Sequence, residues 1–538
     1  EPQAIKRGEL TKNGFPYFTS GYDYPGPHSG NFVNNGLITA DRAWTPKLTE
    51  VKHVYQYVKF KGFDKDEKQL TLENKYDFTN LNQFELAYEI LQDGSVKEEG
   101  TVEMSSAEPD EKVSIAIPYK MVPENNGKEY TINFKVRLKE KTPWAEAGYT
   151  MADAQYMLQE RPEKLPEIAS QNEPLTVTVT GTSVTVSNAE VYMVFDKSNG
   201  LIKTWNFGDN QIIKENGGPV YNNFLYIEND RNGQLNNGVT GATVQASTSA
   251  DKQTCTVTVT VSGSKCPHTI VYKIYASGVV DMKTTYRPAV SELRRIGMYM
   301  QFDSAWENIE YYAKGPWENY IDRQTGSFLG RYTTTVTDMF ENYSRPQSMG
   351  NRMDLRSLTL ENEAKKQKIH IQTAGQVSFS LSHYDQTQYL TPELHPWDLQ
   401  ASEDIYATFD YMQRGIGNGS CGPGTEPAYQ CPSSGSYTYT LRFEAENEDE
   451  PTHVETVEGV FEDCSIYYDE ATESVVCAGL PTESLSVSLY CPSGVCLSSK
   501  GSNGASQVSL SLQGHPKGSY IVVLRGAQGV RQHKLLKK

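Results

Sequence analysis

Strict period-two alternation limits this chain more than any other feature. Leu175, Val177 and Val179 alternate with Thr, as do Val257, Val259 and Val261; Ile270, Tyr272 and Ile274 alternate with other residues. Successive side chains of a β-strand point to opposite faces, so such β-branched runs describe half-buried strands. Gly and Asn turns separate them, for example Ser198-Asn199-Gly200 and Ser277-Gly278. Long helical periodicity is nearly absent. The exception runs from Thr45 to Val58, where Thr45 can N-cap, Pro46 takes the first helical position, and Leu48, Val51, Val54 and Val58 form a stripe. The spacing predicts a mainly β chain entered through one helix.

The bulk numbers exclude several partners. A chain of 538 residues implies about three or four domains. Its 50 basic and 67 acidic residues give a net charge of −17, which argues against nucleic acid and anionic membranes, both of which select basic surfaces. No apolar run is long enough to span a bilayer. The opening EPQAIKRGEL lacks the apolar segment of a signal peptide. Either a leader has been removed or the chain starts within a longer protein, and the sequence that follows favours the second. Eight cysteines are an even but modest set. A hairpin around Glu470-Ala471 would set Cys464 opposite Cys477, and Cys491 and Cys496 flank a short loop. Cys255 and Cys266 fall far out of register for a direct bond. The pattern suits an exported protein: periplasmic, cell-surface or secreted.

Boundaries fall where composition breaks. Residues 1–58 are a loop-rich segment closed by the helix. Residues 59–160, with turns at Asp93-Gly94 and Asn125-Asn126-Gly127, have the size of one immunoglobulin-like sandwich. Arg161 to Pro166 is a linker. Residues 167–447 form a β region too large for a simple sandwich, ending in the acidic stretch Glu444 to Pro451. Residues 452–538 make a small final β-sandwich.

One segment is chemically dense. Between Tyr311 and Leu358, Glu318, Asp322, Arg323, Arg345, Arg352, Asp354 and Arg356 crowd among aromatic rings, Gly and Pro. Buried charges need partners, so an ion-pair network fixing long loops is expected here rather than a catalytic site. The ordered set Gly315, Pro316, Glu318, Asn319, Tyr320, Asp322, Arg323, Gly326, Tyr343, Arg345, Pro346, Gly350, Asn351 and Arg352 resembles the small-chain signature of β-galactosidases of glycoside hydrolase family 2. Asn223-Phe224, His395-Pro396 and Arg414-Gly415-Ile416-Gly417 leading to Cys421-Gly422-Pro423 extend the match. It departs at Tyr226–Asn232, where YIENDRN replaces the usual pattern. The resemblance implies a large galactose mutarotase-like β-supersandwich over residues 167–447, following an immunoglobulin-like sandwich.

Asn31-Phe32, Asn35-Gly36-Leu37, Asp41-Arg42 and Leu48 to Lys52 resemble the end of the family's catalytic (β/α)₈ barrel. Residues 1–58 would then hold the last strand and helix of a truncated barrel. Retaining glycosidases use two carboxyl groups about 5 Å apart. By the resemblance both are glutamates on earlier barrel strands. The Asn-Glu pairs present, at Asn172, Asn362 and Asn447, lack barrel-like flanks. No catalytic residue is assigned, and the isolated chain is expected to be inactive and to hold no cofactor. The parent enzyme would carry a monovalent cation and Mg. The resemblance places cation ligands on Phe32 and Asn35; otherwise Phe32 packs and Asn35 closes the turn before Gly36. It places a sugar-facing aromatic on Tyr406, which is otherwise an ordinary strand position. His28 and His383 belong to nine scattered histidines with no metal-ligand spacing.

The terminal strands, with Lys517 to Val523 and Lys534 to Lys538, resemble a type IX secretion sorting domain, or else a plain immunoglobulin-like module. The reading is a non-catalytic C-terminal portion of a β-galactosidase that supports the missing barrel and rims a site for β-galactosides. The alternatives are a stand-alone mutarotase-like carbohydrate-binding protein and an aldose 1-epimerase, which would need a facing His and Glu.

Overall fold

The computed structural model describes the chain except residues 1–3, 11–15, 20, 31–35, 41, 125, 169–170, 209, 228–237, 418–423, 448–463, 483–484, 491–495, 514–517, 527–528 and 538. Two compact units divide it, Glu1–Asn447 and Glu448–Lys538.

In the first unit, strands Ala4–Leu10 and Pro16–Thr19 pair with each other as an antiparallel two-stranded sheet. The helix follows at Pro46–Val54, with the Thr45 hydroxyl accepting from Leu48 N–H at 3.3 Å and Pro46 in its first turn. It stops short of the expected Val58, which instead opens strand Val58–Asp64. Val54 is 52 % exposed, so the stripe is spent before it reaches Val58. The helix rests both on the sandwich and on the domain that follows it. His53 pairs with Asp153 at 2.9 Å, while Glu50 accepts from the N–H groups of Thr325 and Gly326 at 3.0 and 2.9 Å.

Two antiparallel sheets make the sandwich. Three strands (Val58–Asp64, Gln69–Asn74, Lys112–Ala116) face four (Ser95–Glu103, Phe84–Gln92, Tyr130–Leu138, Thr150–Gln159) across Leu70, Leu72, Leu86, Ile90, Ile132 and Phe134. Gln92 pairs with Ser95 around Asp93-Gly94, whose φ values of 47° and 78° suit a tight hairpin. A Cβ at Gly94 would lie 2.8 Å from the Tyr312 ring and 2.9 Å from Arg331 N. Only glycine fits where this turn meets the next domain.

That domain stacks antiparallel sheets of five, four and nine strands on one core, which includes Phe195, Trp205, Val257, Ile274, Phe379, Phe409 and Leu441. Val257, Val259, Val261, Ile270, Tyr272 and Ile274 are buried as their alternation requires. Val179 is 59 % exposed, because Thr176–Val179 is the edge strand of the five-stranded sheet. Strand Asp404–Gln413 turns Ile405, Ala407 and Phe409 into the core and leaves Tyr406, Thr408 and Asp410 on its other face.

The second unit packs sheets of three and four strands over Val475, Val487, Leu489, Leu510 and Val522. Its first hairpin pairs Asp469 with Ser474 and Ile466 with Cys477. The expected opposition of Cys464 and Cys477 is therefore wrong by two residues: the turn spans Glu470 to Glu473, and the Cys464 thiol donates to the Gly479 carbonyl. Cys255, Cys266 and Cys431 are buried thiols. Cys491 lies outside the described residues. One of the two spacings that suggested export is thus lost.

Candidate functional site

The dense segment forms a hub around Glu318. Strand Asn308–Gly315 delivers Pro316 to Gln324 as a loop, and Glu318 ends 3 % exposed. Its carboxylate accepts from Arg323 and the Tyr343 hydroxyl at 2.5 Å each, and from Gly350 N–H at 2.7 Å. Burial pushes this carboxyl up, but Arg323 and the hydrogen bonds outweigh it and hold Glu318 below the usual range. Asp322 accepts from Ile416 and Gly417 N–H. A Cβ at Gly415 would lie 2.7 Å from Asp322 Oδ2, which accounts for glycine there.

The expected ion-pair network is only part of the truth. Arg356 pairs with Glu129 of the sandwich, at 3.0 and 3.1 Å. Arg345 instead donates to the Tyr226 hydroxyl and to the carbonyls of Tyr389, Thr391 and Leu394, with its guanidinium over the Tyr226 ring. Arg352 donates to the carbonyls of Gly350 and Pro316. At Arg352, carbonyl dipoles take the place of a carboxylate among the described residues. Tyr226 is thereby given a structural role; Glu228 to Asn232 of the departing segment lie outside the described residues.

A cleft of about 640 Å³ lies against this hub, lined among others by Trp44, Trp317, Phe340, Glu341, Tyr343 and Arg352. Lys47 of the helix sits 4.5 Å from the Tyr343 ring centroid. Burial, then Glu318, pushes the Glu341 carboxyl up to about 8, against Arg352, Arg323 and Lys47. The folded state thus keeps a proton that the unfolded chain releases near pH 4.3. Its stabilising effect is complete below that pH and is lost as pH rises through about 8. A Glu341→Gln variant, permanently neutral, is expected to gain stability relative to the parent between about pH 5.5 and about pH 9. Urea melts at both values check this; a parent–variant difference that does not move would overturn it.

Tyr406 lies apart from that cleft, half-buried, between Gln301 and Ser382 on the neighbouring strands. Its ring centroid is 5.9 Å from that of Tyr299, and its hydroxyl reaches Asp385 Oδ2 at 3.5 Å. Two half-buried rings beside a carboxylate can hold the apolar face and hydroxyl edge of a sugar. Along the same face Asp410 is buried against Arg295 at 3.4 Å, and burial pushes its carboxyl up to about 7. Phe32 and Asn35 lie outside the described residues. His28 accepts from Gly30 N–H. His395 bridges Asp23 and Asp398 at 2.8 and 3.1 Å, tying the N-terminal segment to this domain. Among the described residues no group of three or more His, Cys, Asp or Glu could hold a metal, and no helix is long and apolar enough to cross a membrane. Tyr299 and Asp385 were missed in the sequence: Tyr299 sits within a strand and Asp385 caps the turn that starts at Gln386, and no local pattern says that both meet Tyr406.

The family model for the β-galactosidase small chain matches residues 187–443, and that for β-galactosidase domain 4 matches residues 70–159. This chain corresponds to the C-terminal portion of a β-galactosidase. It is 28% identical over 454 residues to the β-galactosidase of Priestia megaterium, covering 80% of this chain and 43% of that protein. Against the β-galactosidase of Actinobacillus pleuropneumoniae it is 27% identical, with the same coverage of 80% and 43%. The β-galactosidase portion spans less than half the length of these relatives. A galactose 1-epimerase from Lactobacillus acidophilus NCFM aligns with 53% of the chain and 98% of its own length, at 10% identity and a TM-score of 0.29.

Proposed function

We propose that this β-galactosidase portion is non-catalytic and rims the galactoside site of the whole enzyme, with Tyr406 as its sugar-facing residue. The observation that carries this is the Tyr299–Tyr406 ring pair beside Asp385, half-buried on a sheet face rather than packed in the core. The carboxylates of the hub support the same reading. Glu318 is tied to Arg323, Tyr343 and Gly350, and so is unavailable as a nucleophile. The pair of carboxyl groups that retaining hydrolysis requires belongs, on this reading, to the remaining length of the relatives. A stand-alone binding protein accounts less well for matches that cross both the sandwich and the small-chain region.

The test is affinity for a non-hydrolysed thiogalactoside in the full-length protein. Tyr406→Ala should weaken it by about tenfold, while Tyr406→Trp retains most of it. Equal affinity in the parent and Tyr406→Ala proteins would remove Tyr406 from the site. Turnover of a chromogenic galactoside that tracks with the isolated chain would overturn the non-catalytic reading.

A further inference from the structure

A cavity of about 280 Å³ opens where strand Ser378–Ser382 ends at His383. Part of its lining is apolar: the rings of Phe340 and Tyr384 lie 5.2 Å apart, beside Met339 and Met349. Ser304, Thr337, Ser382, His383 and Ser402 supply the polar lining. No Lys, Arg, Asp or Glu lines it among the described residues.

A carboxylate behind the lining holds the imidazole. His383 Nε2 lies 2.7 Å from Glu307 Oε2, and Glu307 Oε1 accepts from Thr337 N–H at 2.9 Å. Burial pushes the Glu307 carboxyl up, but its bonds to His383 and Thr337 outweigh this and keep it low. An ionised carboxylate can only accept, so Nε2 donates to Glu307 and Nδ1 is the ring nitrogen left to face a ligand. Neither His383 Nδ1 nor Ser304 Oγ has a hydrogen-bond partner among the described residues.

We propose that this cavity binds a single neutral hexopyranose. Small-molecule sites begin near roughly 300 Å³, so the space suits one ring and not a chain of them. A pyranose offers an apolar C–H face to aromatic rings and a hydroxyl rim to serine, threonine and imidazole. Uronates and sugar phosphates are disfavoured, because a lining without Lys or Arg, backed by the Glu307 carboxylate, would strip their hydration and offer them no dedicated cation. Tyr406 is not part of this lining. The inference therefore stands apart from the galactoside rim proposed above.

Saturation-transfer NMR on this chain tests it, using galactose, glucose and mannose, with glucuronate and glucose 6-phosphate as charged controls. At least one neutral hexose should show saturable transfer. Phe340→Ala and His383→Ala should weaken it about tenfold. Ala401→Trp should do the same by filling the mouth without touching the His383–Glu307 bond, and Tyr406→Ala should leave binding unchanged. Circular-dichroism melts establish that each variant is folded. The proposal is overturned by the absence of saturable transfer from every neutral hexose, or by equal binding of the charged sugars. It is also overturned if Tyr406→Ala abolishes binding while Ala401→Trp does not, an outcome that would leave the rim intact and the cavity unused.

Discussion

Replacing Glu318 by alanine is expected to destabilise its domain by about 3–5 kcal/mol, because it strands a buried guanidinium. Arg323 is mostly buried, its side chain 14 % exposed, between Glu318 and the Tyr320 ring. Tyr343 and Gly350 would lose their acceptor in the same step. For a domain of this size, at about 2.1 cal/mol/K of unfolding entropy per residue, the loss corresponds to roughly 5–9 °C in melting temperature. The Glu318→Gln variant, which keeps the shape and the acceptor oxygen but not the charge, should fall between the two. A thermal melt of Glu318→Ala that superimposes on the parent would show that the hub is dispensable.

The second large effect is expected at Glu129. This carboxylate is 2 % exposed and takes both prongs of Arg356 together with the Tyr312 hydroxyl at 2.5 Å. Forked arginine–carboxylate pairs are the stronger kind, and breaking a buried one by removing a single partner costs about 3–5 kcal/mol. Arg161 worsens the case: burial and the nearby Arg356 push its guanidinium down to about 10. Without Glu129, two cations would be left close together. Glu129→Ala should therefore loosen the sandwich from the small-chain region, and limited proteolysis should cut first between residues 161 and 166. If those bonds stay as protected as in the parent, Glu129 does not join the two.

Much of the fold was legible because alternation and turn chemistry are local. Val257 to Ile274 and the Asp93-Gly94 hairpin needed only their own neighbours to be read. The helix start was legible for the same reason, since Thr45 and Pro46 act within one turn. Its end was not, because Val58 satisfies a helical stripe and a strand alternation equally well. The cysteine register failed over two residues of turn length, and alternation carries no count of turn residues. In the site, the residues that form the hub were visible as a motif, but Glu129 was not. It lies 227 positions from Arg356, at the head of an ordinary strand, where an acidic residue reads as solvated. Tyr299, Asp385 and the Glu307–His383 pair were hidden likewise: a period of two tells which face Tyr299 takes and not what stands opposite, and the other three lie in connections that carry no period at all.

The stretch from Arg161 to Pro166 has the composition of a connector, and the two matched families meet across it. Its atoms say otherwise. Arg161 donates to the Thr373 carbonyl at 2.7 Å, and Arg442 donates to the Pro166 carbonyl at 2.7 Å. Gln155 and Leu329 exchange two further bonds just before it. A gene could be cut here cleanly; the protein could not. Either half, made alone, would present broken side-chain bonds and orphaned guanidinium groups to water. The modules recognised separately by sequence are thus folded jointly, stitched across their seam by side-chain bonds from both.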